Sequence, residues 1–207
     1  MLRQKLPLVM HRDPNAGPSG RYSVHSIYFE NPRDKVLMEK INGTDHRVKW
    51  RIRYYNDDPT FFQLEKKSKT GAVCHKEACN LAPDEVRRIT GGDTAWMEAD
   101  GRPLVRALST QGQLYRLAPR NTVSYLREAF VYPHGNVRVT IDTDVRTSLN
   151  GVDPFTPGPR VPVNDPGFVI LEVKFDEYLP DVIRGLTQVE NRRSQSNSKY
   201  MQSRVFG

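Results

Sequence analysis

Charged and apolar residues alternate in two neighbouring segments of the sequence, residues 48–55 and residues 62–69. Successive side chains of a β-strand point to opposite faces of the sheet, so the alternation predicts two strands with one apolar and one charged face. The charged faces carry Lys49, Arg51 and Arg53 in the first strand and Glu65, Lys67 and Lys69 in the second. The residues between them are rich in aspartate, asparagine and proline, which predicts a hairpin turn.

The same alternation of charged and apolar residues returns later in the chain. It predicts further strands over residues 22–29, 73–81, 122–131, 136–144 and 168–175. The charged positions that repeat the pattern of the hairpin are Lys76, Arg127, Arg138, Asp142, Glu172 and Lys174. Most of the predicted strands thus have one apolar face and one charged face.

Apolar residues at helical spacing predict a second set of elements. The expected helices cover residues 2–10, 33–41, 83–90, 103–117 and 180–190, and residues 194–205 form a last helix or an irregular close. Residues 150–166 contain five prolines, too many for a central strand or helix, which predicts a surface connection. No repeat or linker divides the sequence. Residues 1–207 are therefore expected to form one α+β domain dominated by antiparallel strands.

Composition places the chain among ordinary globular proteins, with 37% hydrophobic and 27% charged residues. The apolar runs are too short to cross a bilayer, and the N-terminus lacks the pattern of a signal peptide. The two cysteines, Cys74 and Cys79, match neither a disulfide framework nor a zinc motif. These features predict a cytoplasmic protein with reduced thiols.

The charge balance changes the picture, because 31 lysines and arginines face 24 acidic residues and give a net charge of +7. Such an excess favours a polyanionic partner, which can be nucleic acid, a phosphorylated metabolite or an anionic membrane. Composition alone does not choose among these partners.

The charged faces of the strands do narrow the choice. A single charged face is usually a solvent-facing side of a sheet. Five or six such faces in one open sheet would create a broad bed of repelling charges, whereas a sheet closed on itself places them in its lumen and its apolar faces against helices. We therefore predict a closed or nearly closed antiparallel β-barrel with covering helices, whose water-filled cationic tunnel suits a linear polyanion.

Three acidic residues of the predicted lumen have two interpretations. Glu172, with Glu65 and Asp142, could hold a divalent metal that bridges phosphate oxygens. Glu65 and Glu172 could instead be internal counter-ions of the neighbouring bases. The sequence leaves both interpretations open.

Six short motifs, taken in order, resemble a known family. They are Arg51-x-Arg53, Leu64-Glu65-Lys66-Lys67, the run from Tyr125 to Phe130, the run from Val137 to Asp142, Leu171-Glu172-Val173-Lys174 and Ser198-Lys199-Tyr200. Together they resemble the VTC domain, the polyphosphate polymerase domain of the triphosphate tunnel metalloenzyme (CYTH-like) superfamily. The resemblance extends from about residue 22 to residue 207.

The resemblance implies a tunnel of about eight antiparallel strands that binds ATP, polyphosphate or another triphosphate together with Mn²⁺ or Mg²⁺. The residues that resemble the catalytic phosphate ligands are Arg51, Arg53, Lys67, Arg127 and Arg138. The resemblance also implies substrate contacts from Lys76 and Lys199 and the metal at Glu172, while the strand pattern adds Lys174 as a substrate contact and Glu65 and Asp142 as further metal ligands. Family members begin with a strand that carries a basic-acidic motif, whereas this sequence starts inside the helix that follows. The start is therefore either truncated or the tunnel lacks one wall strand.

The leading functional hypothesis is a metal-dependent polyphosphate polymerase that transfers the γ-phosphoryl group of ATP to a growing polyphosphate chain. An inorganic triphosphatase or nucleoside triphosphatase of the same fold and a non-catalytic polyphosphate-binding module are the alternatives. Nucleic-acid binding rests on the net charge and on Trp50, Tyr54 and Tyr55, but these rings mostly alternate to the apolar face, so no nucleic-acid partner is expected. Association with a membrane protein is compatible with the sequence, which does not predict an oligomeric state.

Overall fold

Nine strands and six α-helices make up the computed structural model, which describes residues 2–149, 151–189 and 192–205. The strands are β1 (His11–Arg12), β2 (Tyr22–Glu30), β3 (His46–Tyr55), β4 (Phe62–Thr70), β5 (Val73–Leu81), β6 (Ala118–Tyr132), β7 (Val137–Ser148), β8 (Arg160–Pro162) and β9 (Val169–Lys174). The helices are α1 (Leu2–Lys5), α2 (Lys35–Ile41), α3 (Pro83–Thr90), α4 (Pro103–Tyr115), α5 (Asp181–Thr187) and α6 (Lys199–Val205). Short 3-10 turns cover Leu6–Leu8, Ala95–Ala99 and His134–Asn136.

All strands belong to one antiparallel sheet, which confirms the predicted α+β class. The hydrogen-bonded order is β5-β4-β3-β2-β6-β7-β8, while β9 also pairs with β7 and β1 pairs with β6. No hydrogen-bonded ladder of the described strands joins β5 to β9. The sheet is thus not closed by hydrogen bonds, and the closed form of the predicted barrel is not confirmed.

The convex side of the sheet is covered by helices, as the strand pattern predicts. Trp50, Ile52 and Tyr54 of β3 and Phe62 and Leu64 of β4 are buried in one cluster with apolar residues of α3 and α4. A second cluster packs β6 and β7 against the N-terminal segment and α5. Since Trp50 and Tyr54 are core residues, they are not available for stacking on nucleic-acid bases.

The concave side differs from the prediction, because it is cationic over only part of its area. A third buried cluster lies there and consists of Ala16, Tyr22, Val24, Val123, Tyr125, Ala129, Val145, Val163 and Ile170. We call it the inner apolar cluster. Its members share strand faces with charged residues. Tyr125 and Ala129 each lie two positions from Arg127, and Ile170 lies two positions from Glu172. The water-filled cationic lumen predicted from the sequence is therefore a smaller cavity beside an apolar core.

The predicted elements are present with shifted ends. Residues 2–10 contain α1 followed by a 3-10 turn, in which Pro7 lies at the first turn and lacks the backbone N–H for a continuing helix. The predicted surface connection over residues 150–166 includes β8, whose Arg160 and Val161 pair with β7. The last helix occupies only its predicted second half. Residues 150 and 190, at the ends of two predicted segments, lie outside the described residues.

Within the described ranges, no helix is both long and apolar enough to cross a membrane.

Candidate functional site

A cavity of about 210 Å³ lies on the concave side of the sheet, next to the inner apolar cluster. Seven cationic side chains from four strands and from α6 line it, together with two carboxylates and three tyrosines. The cations are Lys49, Arg51, Arg53, Lys67, Arg127, Lys174 and Lys199, the acids are Glu65 and Glu172, and the tyrosines are Tyr28, Tyr125 and Tyr200. The strand alternation explains the concentration of charge, because it turns the charged positions of β3, β4, β6 and β9 to the same side.

Glu65 is the central counter-ion of the β3–β5 part of the cavity. Its carboxylate accepts a hydrogen bond of 2.5 Å from Nε of Arg51 and lies 2.6 Å from Nζ of Lys76 and 3.8 Å from Nη1 of Arg53. The side chain is only 2% exposed. Burial by itself raises the pKa of Glu65, but the charges of Arg51 and Arg53 and the contact with Lys76 lower this pKa to about 2. Glu65 is therefore ionised and holds three cations in place.

Arg51 is fixed along two of its nitrogens. Nε donates to Glu65, and Nη1 donates to the hydroxyl group of Tyr28 at 3.3 Å. The β2–β3 register explains the second contact, since Tyr28 and Arg51 are Cα partners. Burial raises the pKa of Tyr28, but the neighbouring Arg51 and Arg53 charges outweigh it and lower the pKa. The guanidinium group is thus oriented by Glu65 and Tyr28.

Asp142 has the same role on the other side of the cavity. Arg127 donates to it from Nε at 2.7 Å and from Nη2 at 2.8 Å, and Nζ of Lys199 lies 2.7 Å away. The carboxylate is completely buried. Burial raises the pKa of Asp142, but the bonds from Arg127 and the charge of Lys199 lower it below its ordinary value. One buried carboxylate therefore positions two cavity cations.

Lys199 reaches the cavity because α6 is tied to the sheet and to α2. The hydroxyl group of Tyr200 donates to the buried Glu30 at 2.5 Å, and Nη2 of Arg204 lies 2.6 Å from Asp34. Asn121 donates to Ser203 at 2.8 Å. These contacts place the start of α6 over the cavity.

Glu172 differs from the other two predicted metal ligands. Its side chain is 40% exposed and pairs only at long range, 3.5 Å from Lys174 and 3.9 Å from Arg127. Within the described residues, no group of three or more His, Cys, Asp or Glu side chains could hold a metal ion. Mg²⁺ and similar ions are commonly bound by one or two carboxylates together with substrate phosphates. Glu172 fits such a site, whereas Glu65 and Asp142 are engaged as counter-ions.

Two of the predicted phosphate ligands do not line the cavity. Nη2 of Arg138 lies 2.5 Å from Asp13 and donates to the hydroxyl group of Tyr22 at 2.8 Å. Lys76 contacts Glu65 from outside the lining, with half of its side chain exposed. Arg51, Arg53, Lys67, Arg127, Lys174 and Lys199 are brought together as the sequence predicts.

Several lining residues were not predicted as site residues. Lys49 lies on the same strand face as Arg51 and Arg53, so the pattern contained a signal for it. Tyr125 lies on the same strand face as Arg127, so the pattern contained a signal for it too, whereas nothing in the sequence marks the hydroxyl group of Tyr28. Asn197 and Ser198 precede α6 in a segment without regular structure and line the cavity as well.

The fold and the cavity together define a class of protein, an antiparallel α+β domain with a cationic internal site. The family model of the VTC domain matches residues 1–206. The chain belongs to the VTC domain family, which confirms the resemblance found in the sequence and supports a function related to polyphosphate or triphosphate.

Two solved structures are similar over most of the chain. The PH1819 protein from Pyrococcus horikoshii OT3 is 14% identical with a TM-score of 0.49, covering 99% of this chain and 91% of that chain. A proposed adenylate cyclase from Bacillus halodurans is 13% identical with a TM-score of 0.49, covering 93% of this chain and 87% of that chain. No curated protein matches the sequence.

Acidification is expected to remove the stability that Glu65 contributes. A carboxyl group with a depressed pKa stabilises the folded protein above its ordinary pKa of 4.5 and loses this contribution as the pH falls toward about 2. The shift corresponds to roughly 3 kcal/mol. In urea denaturation, Glu65→Gln should therefore be less stable than the wild type at neutral pH, and the difference should shrink as the pH approaches about 2.

The matched control for this titration is Glu77→Gln. Glu77 of β5 pairs with Lys66 of β4, and its side chain is 40% exposed. Glu65 and Lys76 pair across the same two strands. Exposed pairs contribute about 0–1 kcal/mol, so this variant should stay close to the wild type at every pH. A difference between Glu65→Gln and the wild type that is constant over the whole range would contradict the assignment of Glu65 as the ionised counter-ion.

Proposed function

We propose that this domain is a polyphosphate polymerase that transfers the γ-phosphoryl group of ATP to the end of a polyphosphate chain. The observation that supports the proposal is the convergence of seven cations on one cavity in which buried carboxylates orient the arginines. Such preorganised charge stabilises the charge that develops on phosphoryl oxygens during transfer. The same buried carboxylates offset the repulsion between the neighbouring cations.

The reaction needs little proton chemistry from the protein. The terminal phosphate of a polyphosphate chain is ionised at neutral pH and attacks the γ-phosphorus of ATP without a general base, so that a new P–O–P bond forms as the bond to ADP breaks. We assign the binding and alignment of the phosphates to four cations that line the cavity, Arg51, Arg53, Lys67 and Arg127. Lys174 and Lys199 would neutralise charge at the opposite wall.

Glu172 is the residue that we propose for Mn²⁺ or Mg²⁺. When bound there, the ion would neutralise charge on phosphate oxygens. Glu65 and Asp142 could also bind the metal ion only if the cations that they pair with moved away to contact the phosphates. We therefore assign these two carboxylates first as counter-ions. Arg138 and Lys76 stay candidates for contacts with phosphates outside the cavity.

We also propose that residues 1–207 form a single domain, that the sheet closes into a tunnel and that the protein is located in the cytoplasm. Association of this domain with a membrane protein is a separate hypothesis.

Incubation with ATP and Mn²⁺, followed by detection of chains on a gel, tests the proposed function. Long chains made from ATP would support the polymerase. Release of phosphate without chains would replace it with a triphosphatase. A thermal shift with polyphosphate but no turnover would indicate a binding module, and ligand at about a hundred times its Kd should add roughly 2.7 kcal/mol of stability. Stronger competition by single-stranded DNA than by polyphosphate would favour nucleic-acid binding.

A further inference from the structure

A row of cations leads away from the cavity along the ends of β3 and β4. Arg47 is the Cα partner of Lys69, and Lys49 is the partner of Lys67. The strand alternation puts all four side chains on the concave side. We call Arg47, Lys49, Lys67 and Lys69, together with the nearby Lys40 of α2, the rim row.

The rim row lacks the counter-ions that the cavity has. Like charges placed opposite each other on neighbouring strands are destabilising. In the described residues, no ion pair joins a member of the rim row to a carboxylate; Lys40 and Lys49 instead donate to the hydroxyl groups of Ser196 and Ser198, each at 3.3 Å. By contrast, Glu65 and Asp142 neutralise the deeper cations. The row is therefore a stretch of uncompensated positive charge.

The repulsion within the row also acts on the pKa of Lys49. Burial lowers the pKa of Lys49, and the charges of Lys40, Arg47 and Lys67 lower it further. This direction agrees with the register, which places Lys49 opposite Lys67 and Arg47 opposite Lys69.

We propose that the rim row binds the continuing part of a polyphosphate chain whose end lies in the cavity. This inference rests on the proposed function and extends it to a second binding surface. Arg47 lies four residues from Arg51 along β3, which corresponds to about 13 Å at the rise of a strand. Only a ligand that extends well beyond the cavity engages both, so the row selects long chains over short ones.

The experiment compares the binding of long-chain polyphosphate and of tripolyphosphate to the double variant Arg47→Gln/Lys69→Gln. At low salt, Kd for the long chain should rise about tenfold, and Kd for tripolyphosphate should change less than about twofold. The slope of log Kd against log salt for the long chain should fall by about 1 to 2 units, because two fewer cations release counter-ions. Calorimetry at several salt concentrations provides these values.

The control is Lys5→Gln/Arg116→Gln, which removes the same charge from exposed positions outside the concave face. It should leave both ligands unaffected. Equal loss in the control, an unchanged long-chain Kd in the test variant, or a larger loss for single-stranded DNA than for polyphosphate would overturn the inference. Binding of tripolyphosphate to the wild type tests the proposed function separately, so the two can fail independently.

Discussion

Replacing Asp142 by asparagine is expected to cost about 3–5 kcal/mol of stability, because it leaves Arg127 and Lys199 without the carboxylate that neutralises them in a buried site. For a chain of this size the loss corresponds to a fall in Tm of roughly 10 °C. Thermal unfolding followed by circular dichroism measures it. Tripolyphosphate should raise the Tm of Asp142→Asn more than that of the wild type, since a bound anion replaces the missing charge.

Asp144→Asn provides the matched control on the same strand. Asp144 also contacts an arginine, with Nε of Arg146 at 2.9 Å, but its side chain is 46% exposed. Its backbone has a positive φ of 51°, which asparagine tolerates well. This variant should lie within about 0.5 kcal/mol of the wild type. If both variants unfolded at the wild-type temperature, Asp142 would not be the counter-ion that organises this wall.

Glu172→Gln is expected to reduce turnover by a factor of about 100 to 1,000 while polyphosphate still binds as tightly as before, or more tightly. The first effect follows from loss of the metal ligand, since a bound ion contributes several kcal/mol to charge stabilisation. The second follows from electrostatics, since the variant removes a negative charge beside Lys174 and Arg127. Chain synthesis from ATP and calorimetric binding of tripolyphosphate report the two effects separately.

Glu177→Gln controls for the loss of one acidic residue in the same part of the chain, because Glu177 is exposed. Its turnover and binding should match those of the wild type. Normal turnover in Glu172→Gln would show that Glu172 is only a counter-ion, the alternative that the sequence leaves open. Equal loss of turnover and binding in a folded variant would also exclude the metal role.

The strands that form the site could be predicted well from the sequence, since their alternation has a direct physical cause. In β3 and β4 one face must be buried, so Ile52 and Leu64 fix the register and thereby the direction of Arg51 and Glu65. The family resemblance added Lys199, which lies in a segment where alternation gives no information.

The rest of the site depends on contacts between residues that are distant in the sequence. Arg138 has the sequence pattern of a cavity residue, but its side chain donates a hydrogen bond to Asp13, 125 positions earlier, and does not line the cavity. The inner apolar cluster also escaped prediction. Tyr22 and Val24 occupy the concave face because a broad sheet must fill part of its interior with apolar side chains, and the sequence does not show which part.

The edge strand β5 and the strand β9, which carries two lining residues of the cavity, are not joined by a hydrogen-bonded ladder in the described residues. Their separation can therefore change when the sheet flexes, without breaking any main-chain pairing between them. A fully sealed pore accepts a polymer only by threading from one end. Main-chain pairing between β5 and β9 does not block lateral access in the described residues, so a chain with both ends obstructed need not thread from one end.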